Sequence, residues 1–438
     1  MTPRPHLFRD RAAHEHSPVT YIELFFDLVF VFAITQLSHR LLSHLTPDGA
    51  VKTILLFLPV WWVWIYTSWT TNWLDPERAN VRLMLILMML GGLALAIAIP
   101  DAFGADGLLF AASYVAMQLF RSLYMVWASR GVNDARARNF VRVSFYFMLS
   151  APFWLWGAFV DAGLRTILWA AAIVIEYAGP MVFFRMPFLG RSTGADWDIS
   201  GGHMAERCAL FIIIALGEAV LVTGATYASL PHDGPTTAAF VTSFVGSATL
   251  WWIYFDIGAK RASSMISASD NVGFIARNAY TYLHMPIVAG IIVIAVADAK
   301  MLAAPAAVSD RIYLMSACGG PILFLFGNQM FKWVTSDQRY PPLSHFVGNI
   351  LLLAVAVAGY FGHWQTLTVG LLTTLSLILA AQWEWFSLHG LPSAHYFLFV
   401  HSSRRRRSRE LVAADGGTDF GPHARRHRRE PAGRPRPH

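Results

Sequence analysis

Stretches of about 20 apolar residues recur along the whole chain, and each is long enough to cross a bilayer as an α-helix. Lipid offers the backbone no hydrogen-bond partner, so a spanning segment must satisfy its own N–H and C=O groups. Of the 438 residues, 55% are hydrophobic and 14% are charged, whereas about 25% of residues in soluble proteins are charged. We therefore predict an all-α polytopic integral membrane protein with about twelve transmembrane helices, at residues 20–42, 52–73, 80–100, 107–128, 139–160, 164–185, 204–226, 237–257, 272–297, 310–334, 344–361 and 364–387.

The last two of these segments are separated only by Gly362 and His363. A kinked hairpin or a re-entrant segment is therefore an alternative to two complete spans at this place. The first segment has no small-residue cleavage site after it, so we interpret it as a retained helix and not as a signal peptide.

Matching residues in the two halves of the chain predict an internal repeat. A Trp-Trp pair in the second and in the eighth segment is followed by an aspartate, and the third and ninth segments each begin with an arginine. Six helices per half would give both halves the same orientation, related by an axis along the membrane normal. We divide the chain into a cytoplasmic segment 1–18, six-helix halves 19–200 and 201–390, and a tail 391–438; the matched residues are Trp61-Trp62 and Trp251-Trp252, Asp75 and Asp256, and Arg82 and Arg277.

The net charge of +7 is located in the tail, which makes nucleic-acid binding a poor interpretation. Residues 401–438 contain eleven arginines and four acids, an excess of seven, so the first 400 residues are formally neutral. The Pro/Gly/Arg-rich composition predicts a disordered tail that fixes topology and could contact anionic lipid heads.

Loop charges predict the orientation in the membrane. If both termini are cytoplasmic, the inner loops carry most of the Lys and Arg residues, as the positive-inside rule requires. We therefore predict a plasma-membrane protein with both termini in the cytoplasm. The exceptions on the outer side are Arg40, Lys52, Arg165, Lys300 and Arg311.

Ionisable residues inside the apolar segments are the candidates for function, because each costs about 2.5–3.5 kcal/mol to insert unless it pairs or lines a path. We predict a transport path or proton-coupling route from the deeper residues Glu218, His284, Glu176 and Gln36. We predict an inner polar network from Glu23, Asp27, His203, Glu206, Arg207, Arg121, Asp75, Asp256, Arg82 and Arg277. Fixed ion pairs that order the helices are the alternative interpretation for these residues.

Enzyme and metal motifs are not found in the sequence. It has no phosphate-binding glycine loop, no His-Glu-x-x-His and no nucleophile elbow. Cys208 and Cys318 have neither disulfide nor metal spacing. We expect no catalytic residue, no metal and no cofactor.

Four stretches resemble the bacterial low temperature requirement A family, and the similarity covers roughly residues 17–390. The resemblance implies a multipass membrane protein named for a growth phenotype, without an established substrate. The stretches are the run Tyr21 to Val31; Trp61-Trp62 through Asp75; His203 to Arg207 with Leu216-Gly217-Glu218; and Trp251 to Asp256 with Tyr282-Leu283-His284.

Buried carboxylates and a histidine in a two-half architecture favour a proton-coupled secondary transporter of an unknown small solute or ion. A cation channel is an alternative, because an acidic path suits cations. A membrane enzyme that affects lipid composition is another, with Glu23, Asp27 and His203 as its only candidate groups. A sensor or scaffold is disfavoured because the chain has no sizeable soluble domain.

Overall fold

In a computed structural model, which describes residues 7–10, 18–256, 272–336 and 338–389, the described part of the chain forms twelve long helices and no strand. A 3₁₀-helix, Gly194–Trp197, lies between the sixth and seventh helices. The ninth helix is composite, with an α-helical segment Val272–Ala276, a π-helix Arg277–Tyr282 and an α-helix His284–Ala303. The others are α1 (Tyr21–Ser43), α2 (Pro47–Trp73), α3 (Ala79–Ala98), α4 (Gly107–Ser129), α5 (Asp134–Gly157), α6 (Ala162–Met181), α7 (Gly201–Ala228), α8 (Gly234–Phe255), α10 (Arg311–Val334), α11 (Leu343–Gly362) and α12 (Thr366–His389), and the composite helix is α9.

Eleven of the helices in the described ranges are long and apolar enough to cross a membrane, which confirms the predicted fold class. The one that does not meet this criterion is α5, which contains Asp134, Arg136, Arg138 and Arg142. The helices α11 and α12 are separate, joined by a turn in which His363 has φ 48°. Both are among the eleven, so two separate helices of spanning length and composition form here.

Several helices begin where a side chain caps the first free backbone N–H groups, as the local sequence dictates. Thr46 accepts from the Gly49 N–H at 3.0 Å at the start of α2. Asn133 accepts from the Arg136 N–H at 2.9 Å at the start of α5. These caps extend α2 and α5 about five residues before the apolar stretches begin, because helix length follows capping as well as hydropathy.

Helix α2 lies at the centre of the bundle, and its tryptophans are core residues. Trp61 donates its indole N–H to the Thr281 carbonyl at 2.8 Å, and Trp69 donates to the Thr281 hydroxyl at 3.1 Å. Trp73 donates to the Asp198 carbonyl. A buried Trp needs such a partner for its polar group, so these bonds orient α2 relative to α9 and to the α6–α7 connection.

The helix ends lie on two opposite faces. On the near face, defined by the start of α1, the end of α2 and the start of α7, Asn72 exchanges two 2.8 Å hydrogen bonds with the Ser200 backbone. On the far face, Arg165 donates to the Ala102 and Gly104 carbonyls at 2.9 and 3.0 Å.

The Lys and Arg side chains of the far face contact carbonyl, carboxylate or hydroxyl oxygens. These contacts offset the positive charge that they place on this face. Helix C-terminal carbonyls carry partial negative charge, so an Arg beside them adds little net positive potential. The contacts are Arg40 to the Pro100 carbonyl, Lys52 to Asp48 (2.7 Å), Arg165 to the carbonyls named above, Lys300 to Asp310 (3.0 Å) and Arg311 to the Tyr360 hydroxyl (2.7 Å).

The chain divides into two compact units, Met1–Glu384 and Trp385–His438, and residues 385–389 are the described part of the second. The Arg-rich tail and the predicted inner loop with Lys260 and Arg261 lie outside the described residues. The predicted internal repeat stays a prediction.

Substitution of Gly320 should destabilise the packing of α9 against α10. A Cβ at Gly320 would lie 2.9 Å from the Ile294 nitrogen, whereas a Cβ at the neighbouring Gly319 would meet nothing within 4 Å. Gly320→Val should therefore lower stability by about 1–3 kcal/mol, measured as the melting temperature of the purified protein in detergent. Gly319→Val is the matched control, and equal melting temperatures for the two variants would contradict this packing.

Candidate functional site

A buried ion pair joins α1 to α7. Arg207 Nη2 lies 2.8 Å from Asp27 Oδ1, and Arg207 Nη1 lies 2.9 Å from Asp27 Oδ2, so the contact is bidentate. Arg207 also donates to the Glu23 carbonyl at 2.8 Å and to the Ser68 hydroxyl at 3.3 Å. Trp64 donates its N–H to Asp27 at 2.8 Å. Both charged side chains are 0% exposed, so the pair ties three helices together where neither charge could remain alone.

A second set of contacts surrounds Glu23 one turn earlier on α1. His203 Nε2 lies 3.0 Å from Glu23 Oε1, and Arg9 Nη2 lies 2.9 Å from Glu23 Oε2. The Thr20 N–H donates to the same carboxylate at 2.9 Å, which closes the helix start. Because a carboxylate only accepts, His203 Nε2 is the donor, and Nδ1 can accept from Asn72 at 3.3 Å. Glu23 therefore has a full set of donors.

Glu176 is held by three donors from α4 and α5. Ser150 donates at 2.6 Å, Trp154 donates its indole N–H at 2.9 Å, and Tyr114 donates its hydroxyl. Glu176 is buried. Its three partners leave little acceptor capacity, so this carboxylate orders the helices α4 to α6.

Arg121 belongs to the same group of side chains and is separate from the Glu23 and Asp27 network. Gln118 donates to the Tyr114 hydroxyl at 2.9 Å and accepts from Arg121. The Arg121 guanidinium lies 5.2 Å from the Tyr66 ring centre and 5.7 Å from that of Phe147. A chain of hydrogen bonds thus links the Arg121 cation to the Glu176 group without a direct ion pair.

His284 begins the last segment of α9, directly after the π-helix Arg277–Tyr282. Its Nδ1 lies 2.9 Å from the Ala279 carbonyl and its Nε2 lies 2.8 Å from the Tyr254 hydroxyl. A carbonyl only accepts, so Nδ1 carries a proton. Pro286 has no N–H for the preceding turn, which fits a helix that opens here. Both ring nitrogens are therefore used for structure.

Glu218, which is half-buried, has a different environment from Glu23, Asp27 and Glu176. Thr35 Oγ1 lies 2.9 Å from Glu218 Oε1, and Thr35 is the hydrogen-bond partner of Glu218 among the described residues. Glu218 borders a cavity of about 80 Å³ between α1, α7 and α9, room for several water molecules. The exposed His39 lies at the edge of this cavity, near the far face. Its lining includes Ile34, Thr35, Ser38, His39, Ala215, Glu218, Val222, Ile291, Ile292 and Ala295.

A second cavity, of about 300 Å³, lies at the near-face end of α9. Its walls come from α2, from the end of α6 and the α6–α7 connection, and from the first two segments of α9. They consist mainly of aromatic rings, with a single arginine among the described lining residues: Trp62, Tyr66, Trp69, Pro180, Phe183, Phe184, Thr193, Trp197, Gly273, Arg277 and Thr281. We call this the aromatic cavity.

The structure brings together Glu23, Asp27, His203 and Arg207 from the predicted inner network. It places Glu218, His284 and Glu176 at three separate positions, and Gln36 is not among the residues that line the Glu218 cavity. The other predicted residues lie elsewhere: Glu206 accepts from the Val19 N–H (3.3 Å), Asp75 pairs with Arg78 (3.0 Å), Arg82 is exposed, Asp256 caps α8, and Arg277 lines the aromatic cavity.

Lys332, Glu384 and Arg9 are among the charged residues that the sequence interpretation missed. Lys332 binds both oxygens of Glu384 at 2.8 and 2.7 Å and the Ile253 carbonyl at 2.7 Å. Both residues lie inside predicted spans, so the criterion of intramembrane charge would have found them. Arg9 gives no such signal, because it lies in a polar segment outside the predicted spans. Only the structure shows that its side chain reaches Glu23.

Fold and buried charge networks define an all-helical multipass membrane protein. Comparison with known proteins agrees with this class. The family model described as bacterial low temperature requirement A protein (LtrA) matches residues 18–385, and the chain belongs to this family. It is 39% identical over 378 residues to the uncharacterized protein RA0937 of Rhizobium meliloti (strain 1021), covering 86% of this chain and 91% of that protein. No solved structure matches the chain.

Breaking the buried pair should cost far more than breaking an exposed one. Arg207→Met or Asp27→Asn alone should each lower stability by about 3–5 kcal/mol, because the remaining polar group stays buried without its partner. The double variant should lose clearly less than the sum of the single losses, measured from melting temperatures. The exposed pair Asp75 and Arg78, 3.0 Å apart, is the matched control with a coupling of about 0–1 kcal/mol. Additive losses at Asp27 and Arg207 would contradict the role of this pair.

Proposed function

We propose that the protein is a secondary transporter of a small solute, coupled to protons through Glu218. The proposal rests on the environment of Glu218. This carboxylate borders a cavity, and Thr35 is its hydrogen-bond partner among the described residues. An intramembrane carboxylate that faces a cavity and not a cation is typical of proton relays in transporters. Glu23, Asp27 and Glu176, in contrast, have their acceptor sites filled by donors.

Thr35 lets Glu218 change protonation state without losing its hydrogen bond. Thr35 Oγ1 lies 2.9 Å from Glu218 Oε1 and 3.1 Å from the Val31 carbonyl. A hydroxyl has one proton to donate and can also accept. With an ionised Glu218, Thr35 donates to the carboxylate; with a protonated Glu218, the acid donates to Thr35, which then donates to Val31. Both states are satisfied in one geometry.

The two cavities support alternating access. Thr281 lines the aromatic cavity and Ile291 lines the Glu218 cavity, and ten helical residues span about 15 Å. The nearby side chains of α2 and α7 are packed, with the Trp64 and Phe211 ring centres 4.2 Å apart. Two cavities toward opposite faces with a packed layer nearby fit a transporter better than an open cation channel.

A membrane enzyme would need room for a substrate beside its acid–base groups. The Glu23 and His203 side chains are 0% exposed and are bonded to each other. Neither lines the two cavities described above. This saturation is why we favour transport over catalysis.

Proton-driven uptake tests the proposal. Proteoliposomes would be given a mixture of small organic metabolites with and without an inward proton gradient, and their contents would be measured by mass spectrometry. At least one solute should accumulate several-fold with the gradient, and Glu218→Gln should abolish the gradient dependence. Glu77→Gln, at an exposed position, is the control and should behave as the unaltered protein. Equal uptake by Glu218→Gln would overturn the proposal.

The hydroxyl of Thr35 should matter more than its volume. Thr35→Ser keeps the group that serves both Glu218 and Val31, so gradient-driven uptake should stay within about threefold of the original rate. Thr35→Val removes the hydroxyl and should reduce uptake at least tenfold, because an ionised Glu218 loses its donor. Initial rates in the same proteoliposomes measure both, and equal rates for the two variants would contradict the role of Thr35.

We further propose a plasma-membrane location with both termini in the cytoplasm, so that the near face is cytoplasmic. Cys208 and Cys318 are buried, so a new surface cysteine can be labelled selectively. An impermeant maleimide should label Ser229→Cys in right-side-out vesicles and Val132→Cys in inside-out vesicles. The reverse pattern would overturn the orientation.

A further inference from the structure

Asp298 is a carboxylate inside a spanning helix that the proton-coupling argument leaves without a role. It lies in α9, five residues before the helix ends at Ala303, and five helical residues span about 7.5 Å. The far face is therefore close. The described part of the chain gives Asp298 no ion pair, and the nearby Lys300 is paired with Asp310 at 3.0 Å. The Ser243 hydroxyl of α8, a neutral group, interacts with the Asp298 carboxylate.

Asp298 borders a third cavity, which we call the Asp298 cavity. Its volume of about 30 Å³ lies between α8, α9, α10 and α12, and it gives room for about two water molecules. Ala297 and Asp298 line this cavity, whereas Ala295 and Ala299 line the Glu218 cavity, so the two cavities lie on different sides of α9. Asp298 is the single charged residue among the described lining residues, and its ionised form gives the cavity a formal charge of −1.

Two hydroxyl groups of the lining have already used their protons. Thr242 donates to the Ala238 carbonyl at 2.7 Å. Thr373 donates to the Gly370 carbonyl at 2.9 Å. A hydroxyl has one proton and two lone pairs, so both side chains can still accept or coordinate, but they cannot donate again. The Asp298 cavity therefore combines a carboxylate with further oxygen acceptors.

Thr374 contributes a hydroxyl from α12. A Cβ at Gly246 of α8 would lie 3.5 Å from Thr374 Oγ1, so this oxygen points across the helix contact toward α8. Gly246 also lines the cavity, and its missing side chain leaves the space in front of the oxygen open. Thr374 and Asp298 are both half-buried, so both keep surface that a bound ion can reach.

One negative charge, several oxygen acceptors and a small volume fit a small monovalent cation. Hard cations take oxygen ligands. The single carboxylate balances one positive charge, whereas a divalent ion would keep an uncompensated charge in a site of low polarity. An anion would meet the Asp298 charge without a described cation to offset it. The volume of about 30 Å³ favours Na⁺ over the larger K⁺.

We propose that the Asp298 cavity binds one sodium ion. The Asp298 carboxylate and the Thr374 hydroxyl are its principal ligands, and Thr242, Thr373 and water supply further oxygens. The ion reaches the cavity from the far face. A role of this ion in transport rests on the proposed transport function, whereas the binding itself does not.

Binding of radioactive sodium to the full chain in nanodiscs, measured by scintillation proximity, tests the site without any gradient. Binding should be saturable, with about one ion per chain. Unlabelled NaCl should displace the label, KCl should be at least tenfold less effective, and choline chloride should have no effect. Asp298→Asn should abolish saturable binding. Thr374→Val keeps the shape without the hydroxyl and should weaken binding at least tenfold, whereas Thr374→Ser should stay within about threefold of the unaltered chain.

Asp233→Asn is the matched control, because it removes an exposed carboxylate near the same face. Asp233 accepts from the Thr236 N–H at 2.8 Å at the start of α8, and Asn caps a helix about as well as Asp. Sodium binding should be unchanged in this variant. Equal sodium binding by Asp298→Asn and the unaltered chain would overturn the inference.

The unaltered chain by itself also decides the matter if Asp298→Asn fails to fold. No saturable sodium binding, or displacement by KCl as effective as by NaCl, would overturn the sodium site. Sodium binding without proton-driven uptake of any solute would instead overturn the transport function and leave this site standing. Proton-driven uptake without sodium binding would do the reverse.

Discussion

The bidentate contact between Asp27 and Arg207 is the interaction on which the arrangement of the bundle depends. In lipid neither charge can find water, so α1 and α7 must be adjacent at this height. Trp64 donates to the same carboxylate, which adds α2 to the pair. Since α2 also carries the tryptophans that bind Thr281, the position of α9 follows from that of α2.

Different degrees of saturation distinguish the carboxylates of the bundle. Glu23, Asp27 and Glu176 each accept from three or more donors, and a saturated carboxylate stabilises a fixed structure. Glu218 accepts from Thr35 and otherwise faces a cavity. This difference in environment is why Glu218, and not the other three carboxylates, supports the proposed coupling role.

Helix α9 connects the features with functional interest. Its π-helix lines the aromatic cavity, its His284 segment is anchored to Tyr254, and its later turns line the Glu218 cavity. A π-segment is a local irregularity of the hydrogen-bond ladder that is frequent at functional sites. Residues of a single helix therefore line both cavities.

Apolar stretches and intramembrane charges were enough to predict the fold class, the number of helices and the grouping of Glu23 with Asp27, because helix geometry and the cost of charge in lipid are local and general. They could not predict that His284 is saturated by Tyr254 and Ala279 while Glu218 is not, since those partners lie on other helices or on an irregular turn. The aromatic cavity was likewise hidden, because its walls are distant in the chain. The sequence alone determined that this is a multipass helical membrane protein of the LtrA family; only the tertiary structure decided which buried charges are neutralised and which face open space, because pairing depends on how the helices pack.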